Sequence, residues 1–130
     1  MPDDNAVHIA IAGDVNFPND CPFLGTDIIR LGPSSFDLAT IGTYQILFNV
    51  SITEAAQLVV TLNGNELAYT VVGRATGTSQ IVGMCLIQTL SISNTLTIRN
   101  PAASAAAITI TPLAGGADSV SAHLMILHLN

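Results

Sequence analysis

The sequence predicts an all-β domain, an antiparallel sandwich or jelly roll. Three observations carry that expectation. Gly42 to Ile52 reads G-T-Y-Q-I-L-F-N-V-S-I, with Tyr44, Ile46, Phe48, Val50 and Ile52 on one side of an extended chain. Thr43, Gln45, Asn49 and Ser51 fall on the other side, with Leu47 the one apolar intruder. Alternation with period two marks a half-buried strand, and its aromatic and β-branched content suits a pleated surface. Next, about nine or ten short apolar runs follow one another, separated by turn signals, with no convincing helix. Finally, Asn63-Gly64 sits between two apolar runs. That dipeptide is the strongest short hairpin signal, because both central residues of a type I′ turn need positive φ.

In chain order, Val7 to Ala12 (V-H-I-A-I-A) is the first strand, and Asp14 to Asp20 is a loop. Thr26 to Leu31 is a short strand, and Gly32-Pro33-Ser34-Ser35 a turn. Phe36, Leu38 and Ile41 lead into the central strand. Thr53 to Ala56 breaks the pattern; Glu-Ala-Ala has helix propensity but is too short to use it. Leu58 to Leu62 and Glu66 to Val72 flank the Asn63-Gly64 turn, and Gly73 to Ser79 is a loop. Gln80 to Leu90 is a long strand, Ser91 to Asn94 a turn, and Leu96 and Ile98 alternate with Thr95 and Thr97. Pro101 and the I-T-I-T alternation argue against a helix in the Ala-rich stretch 100–107 and for a strand at Ile108 to Thr111. After a loop at Pro112 to Asp118, Ser119 to Leu129 is the closing strand.

The runs at 7–12, 80–90 and 119–129 are apolar on both faces. In an antiparallel sandwich one face of each sheet ordinarily meets water and is polar. With no helix to cover them, a second copy of the chain is the expected cover.

Composition points the same way. The chain has 130 residues, one domain's worth, with 49% hydrophobic and 9% charged residues. An ordinary soluble domain carries about 25% charged residues. Net charge is −6, with no lysine and three arginines, Arg30, Arg74 and Arg99, so phosphate-led nucleic-acid binding has little to work with. Apolar runs are short and broken, far below the roughly 18 residues of a membrane-spanning helix. Met1 is followed by P-D-D-N rather than by a charged and then an apolar region, so no signal peptide is read, and the chain reads as a piece of a longer protein. Residues 1–13 are taken as an N-terminal segment with the first strand, and 14–130 as the rest of the same single domain.

Candidate chemistry is sparse. Cys21 lies in a Pro-rich turn and Cys85 in an apolar strand; a disulfide between them is one reading, a buried Cys85 acting as a small hydrophobe the other. His8, His123 and His128 are the only histidines. One of them on a threefold axis would become three and make a Zn or Ni site, against the ordinary reading of a hydrogen-bonded or exposed histidine. Asp14, Asp20 and Asp27 near Asn16 and Asn19 supply calcium-type oxygens, but their spacing matches no compact loop motif. No metal or other cofactor is therefore expected. No serine sits in a G-x-S-x-G elbow or another activating context, so no enzyme is expected either. Asn49-Val50-Ser51 matches the glycosylation sequon, in mid-strand.

F-D-L-A-T-I-G-T-Y-Q-I-L-F-N-V at 36–50 resembles the motif of the jelly-roll superfamily shared by complement globular heads and tumour necrosis factor. Within it, the hairpin L-V-V-T-L-N-G-N-E-L at 58–67 and the closing apolar strand are similar to the C-terminal head of collagen-like glycoproteins of bacterial spore surfaces. The resemblance spans roughly 15–130 and implies a ten-stranded jelly-roll homotrimer with one sheet facing the threefold axis. Gly42, Tyr44 and Ile46 match the motif, and Tyr44, Ile46 and Phe48 would face the sandwich core. On the last strand Val120, Ala122, Leu124, Ile126 and His128 would face partner subunits, with His123, Met125 and Leu127 inward.

The implied role is structural. The head would cap a collagen-like stalk in the outermost spore layer, the exosporium. This chain contains no Gly-X-Y repeat, so such a stalk would lie N-terminal to it. A ligand- or receptor-binding head, or a phage or viral fibre tip, is the alternative. Contacts with a host or spore-surface partner would then come from loops 14–25, 73–79 and 100–106, where Arg74 stands out.

Overall fold

The computed structural model describes residues 8–23, 25–75, 79–111, 115–118 and 122–130. Its strands in chain order are β1 (His8–Ile9), β2 (Ile28–Arg30), β3 (Phe36–Leu38), β4 (Gly42–Ile52), β5 (Ala56–Leu62), β6 (Asn65–Glu66), β7 (Val72–Arg74), β8 (Ser79–Thr89), β9 (Asn94–Arg99), β10 (Ile108–Thr109) and β11 (Ala122–His128). A single 3-10 turn at Ala68–Thr70 is the one helical element among the described residues. The fold is all-β, as expected.

Two sheets enclose the core. One has the order β11-β4-β8, with β4 central and paired along its whole length to β8. The other runs β2-β3-β9-β5-β6, with β7 also paired to β5. Every pairing is antiparallel. The short β1-β10 pair joins the end of β4 through a bridge between Ile52 and Ile110. Tyr44, Ile46, Phe48, Val50 and Ile52 are all buried against Leu58, Val60, Leu96 and Ile98 of the other sheet. Alternation over β4 thus predicts the buried set correctly, and Tyr44, Ile46 and Phe48 do face the core.

Asn63 (φ 54°) and Gly64 (φ 80°) form the β5–β6 turn, both in the left-handed region that such a turn demands. Asn63 fits because its side chain is held: Nδ2 donates to Asn94 Oδ1 (2.8 Å), and its Oδ1 accepts the Thr95 N–H (2.9 Å).

Several sequence expectations need correction. Phe36 and Leu38 do not run into β4; they belong to β3 in the opposite sheet, and the chain changes sheets at 39–41. The strand expected over Glu66 to Val72 is interrupted by the 3-10 turn. Thr70 drives this, because its hydroxyl donates to Leu67 O (2.7 Å) and accepts the Val60 N–H (2.9 Å), replacing ladder bonds. Among the described residues the first strand ends at Ile9 rather than Ala12, since the chain turns back at Ala10–Gly13 with Ala12 at φ 62°; Val7 lies outside them. Cys21 and Cys85 are free thiols. The parity of β11 is reversed. Ala122 is buried, and Leu124 and Ile126 pack on the core, whereas His123, Met125 and Leu127 are exposed. His128 also turns inward, onto Tyr44. With both faces apolar, hydropathy could not choose between them. Val120 lies outside the described residues.

Candidate functional site

Three doubly apolar runs raised the expectation of a partner. The first pairs with β10, and the other two, as β8 and β11, flank β4 in one sheet. Register places them in rungs across its outer face: His123–Asn49–Val82, Met125–Leu47–Met84 and Leu127–Gln45–Leu86. Val82 is 55% exposed, Met84 67%, Leu86 56%, Met125 42% and Leu127 43%. Ile41, Leu90 and Leu129, exposed at the ends of the same strands, prolong the apolar area. The remaining polar positions of this face are Thr43, Ser51, Gln80 and Gln88, and among the described residues His123 is its one titratable group. Among the described residues of these strands, no Asp, Glu, Lys or Arg lies on it. Contiguous apolar patches of this kind are often functional.

Beside Leu86 the β8 edge of this face carries no charge either. Tyr69, two-thirds exposed, donates its hydroxyl to Leu86 O (3.2 Å). Burial, and after it the neighbouring Cys85, pushes the Tyr69 phenol up; burial pushes the Cys85 thiol up. Both therefore stay uncharged near neutral pH.

Under this face sits the Gly-x-Tyr motif. The Tyr44 hydroxyl donates to Thr40 O (2.7 Å), and the imidazole of His128 stacks on its ring. Gly42 faces His128 and the terminal carbonyl of Asn130 so closely that a Cβ there would overlap both. Thr43 N–H donates to Asn130 O (2.9 Å) and Leu129 N–H to Thr43 O (2.8 Å), which extends the β4–β11 ladder to the end of the chain. The motif thus serves the junction of β4 with β11, a role the sequence alone did not disclose.

The dispersed candidates stay dispersed. His8 Nδ1 meets Thr109 Oγ1 (3.1 Å), His123 Nδ1 meets Asn49 Oδ1 (3.3 Å), and His128 Nδ1 meets Asp27 Oδ2 (2.7 Å), three separate places. Asp14 pairs with Arg99 (2.8 Å) and Asp20 with Arg30. Among the described residues no group of three His, Cys, Asp or Glu could hold a metal. The sequon residue Ser51 is buried. Arg74 Nη2 donates to the main-chain carbonyls of Ile52 and Glu54. It lines an open cleft of about 650 Å³ with Glu54, Gln57, Asn100 and the alanines of 103–107.

No helix of the described residues is long and apolar enough to cross a membrane. No family model matches the chain, and no curated protein matches it. The functional reading therefore rests on the geometry and on the sequence motif.

Proposed function

We propose that this domain is a non-enzymatic head that self-associates through the outer face of β11-β4-β8. On this reading it is a jelly roll that forms a threefold homotrimer and caps a collagen-like filament of the bacterial spore surface, the exosporium. One observation carries the self-association: the uncharged row of exposed Val82, Met84, Leu86, Met125 and Leu127 around half-buried Leu47. Covering one such side chain, already about half buried, is worth about half of the roughly 1.5–3 kcal/mol of full burial. Association costs roughly 4–15 kcal/mol in lost freedom, so several must be covered together, and here they are contiguous. The resemblance at 36–50 and 58–67 supports the stalk, the threefold symmetry and the spore location.

The mechanism follows from concentration. Three stalks tethered to one head are held at high effective concentration, which offsets the entropic cost of starting a triple helix. The head then sets the register of the three chains and resists their separation.

The test is mass in solution, by light scattering on a gel-filtration peak at low micromolar concentration and again after dilution. A persistent species near three times 13.5 kDa is expected. A species of 13.5 kDa at both concentrations overturns the reading.

A further inference from the structure

Methionine is ordinarily a core residue. This chain has three, Met1, Met84 and Met125, and both internal ones lie outside the core. They come from the strands on either side of β4, yet register sets them on one rung, flanking Leu47. Both are exposed, Met84 the more so. The rung is the middle one of the apolar face, with Val82 and Leu86 on the same side of β8 and Leu127 on the same side of β11.

Leucine at these positions would be equally apolar. What methionine adds is an adaptable shape and an oxidisable thioether. Gln45 Nε2 donates to Met84 Sδ at 3.6 Å, so an amide N–H is already aimed at one of the two sulfurs. A sulfoxide oxygen accepts such a bond more strongly than a thioether does. In the single chain, Gln45 and water can therefore hold the oxidised side chain of Met84, and water that of Met125. Against an apolar partner surface that water is lost, which is costly for a polar group. The cost falls most on Met125, with Leu47 across from it and Leu127 next on its own side of β11.

We propose that the Met84–Met125 rung is a redox gate on self-association: hydrogen peroxide reaches both sulfurs in the single chain, and the resulting sulfoxides bar that chain from assembling. This rests on the self-association proposed above and adds its regulation. In the reaction the thioether sulfur attacks one peroxide oxygen, and the S–O bond forms as the O–O bond breaks. The other oxygen leaves as hydroxide, takes the proton from the oxygen now on sulfur, and departs as water. The sulfur is oxidised by two electrons and the peroxide reduced by two. Once copies have met, the rung is covered and its sulfurs are shielded, so the gate acts before assembly and not after it. It is reversible, because methionine sulfoxide reductases return the thioether.

The test separates the copies by dilution into mild urea that leaves the circular dichroism unchanged, and then adds hydrogen peroxide. Peptide mass mapping is expected to show one added oxygen on Met84 and one on Met125. Freed of peroxide and urea, the oxidised chain should keep its circular dichroism and need roughly tenfold more protein to assemble for each sulfoxide at a contact, read by light scattering. Reductase treatment should restore assembly, and protein treated while assembled should gain oxygen at these sites more slowly. Met84→Leu/Met125→Leu should assemble untreated and go on assembling after peroxide, which excludes the Cys21 and Cys85 thiols as the cause. Met84→Gln/Met125→Gln sets a polar group at both positions without oxidation and should weaken assembly in the same direction, which keeps the test open if the copies resist separation. Unchanged assembly of the doubly oxidised chain or of the double glutamine variant overturns the gate. So does an oxidised chain that unfolds, or a double leucine variant that loses assembly after peroxide as wild type does. Untreated wild type at the single-chain mass at every concentration removes the self-association and the gate with it, and is told apart because no peroxide is involved.

Discussion

The imidazole of His128 stacks on the ring of Tyr44, with centroids 4.5 Å and planes 16° apart, although 84 positions separate the two residues in the sequence. The stack ties the last strand to the central one. The same imidazole bonds Asp27 at 2.7 Å, so one side chain links β11, β4 and the segment that enters β2. His128→Ala removes the stack and the hydrogen bond together. The expected loss is about 1–3 kcal/mol of stability, read as a lower denaturation midpoint in urea. Asp27→Asn keeps the stack and should cost less.

Gly42 is required by its neighbours. A Cβ there would overlap Asn130 O and His128 Nε2. Gly42→Ala must therefore push the end of the chain off β4, at about 1–3 kcal/mol. Amide exchange separates this from global destabilisation: Thr43 and Leu129 N–H, which close the ladder, should exchange faster while mid-strand β4 amides change little.

Gly83 gives an independent test of the core. A Cβ on it would fall into the Phe48 ring directly across from it. Alanine in place of a strand glycine ordinarily stabilises by about 0.5–1 kcal/mol. Here Gly83→Ala should destabilise by about 1–3 kcal/mol. Phe48→Leu, itself costly, should become less so in the Gly83→Ala background, because the smaller side chain vacates the space. A double-mutant cycle in urea measures that coupling, and additive losses would contradict the contact.

The legible and illegible parts of this fold have different physical origins. The β4 face was readable because one side of the strand is buried and the other half-exposed, so hydropathy alternates. The Asn63-Gly64 turn was readable because positive φ is a local demand. By contrast, β11 is apolar on both sides, so periodicity could not say that Leu124 and Ile126 turn in while Met125 and Leu127 turn out. Phe36 and Leu38 continue the same apolar register as β4, and only the sheet change at 39–41 separates them. The Gly83–Phe48 fit and the Tyr44–His128 stack join residues distant in sequence, and no local pattern announces them. For the candidate surface, the doubly apolar strands raised the expectation of a cover. Its neutral Tyr69 edge emerged only once the 3-10 turn was placed beside β8.

Glu54 makes stability depend on acid. Burial raises its carboxyl pKa, but bonds from Thr109 Oγ1 (2.7 Å), Thr109 N–H (2.8 Å) and Thr53 Oγ1 (2.8 Å) outweigh it, and the net shift is downward. A carboxyl whose pKa is lower in the folded state contributes stability above its unfolded pKa, about 4.3, and loses it as pH falls through the folded value. Wild type should therefore weaken across that acid range by more than Glu54→Gln does, in urea titrations at successive pH values. Equal slopes would show that the Thr109 bonds do not form in solution.

Ile46 and Leu47 are adjacent in β4 and point to opposite sides, one into the core and one onto the outer face. Their substitutions should separate folding from assembly. Ile46→Ala opens a cavity beneath the sheet and should cost about 2–5 kcal/mol of chain stability. Leu47→Gln keeps the volume, adds a group that water can solvate in the free chain, and should change isolated-chain stability by only about 0.5 kcal/mol. In the assembled head the same glutamine amide would be buried between Met84 and Met125 without a partner, which costs about 1–3 kcal/mol at each contact. The expected pattern is a folded Leu47→Gln protein whose mass falls toward a single chain at concentrations where wild type stays assembled. If instead Leu47→Gln loses stability and association in proportion, the outer face is acting as part of the fold and not as the place where copies meet.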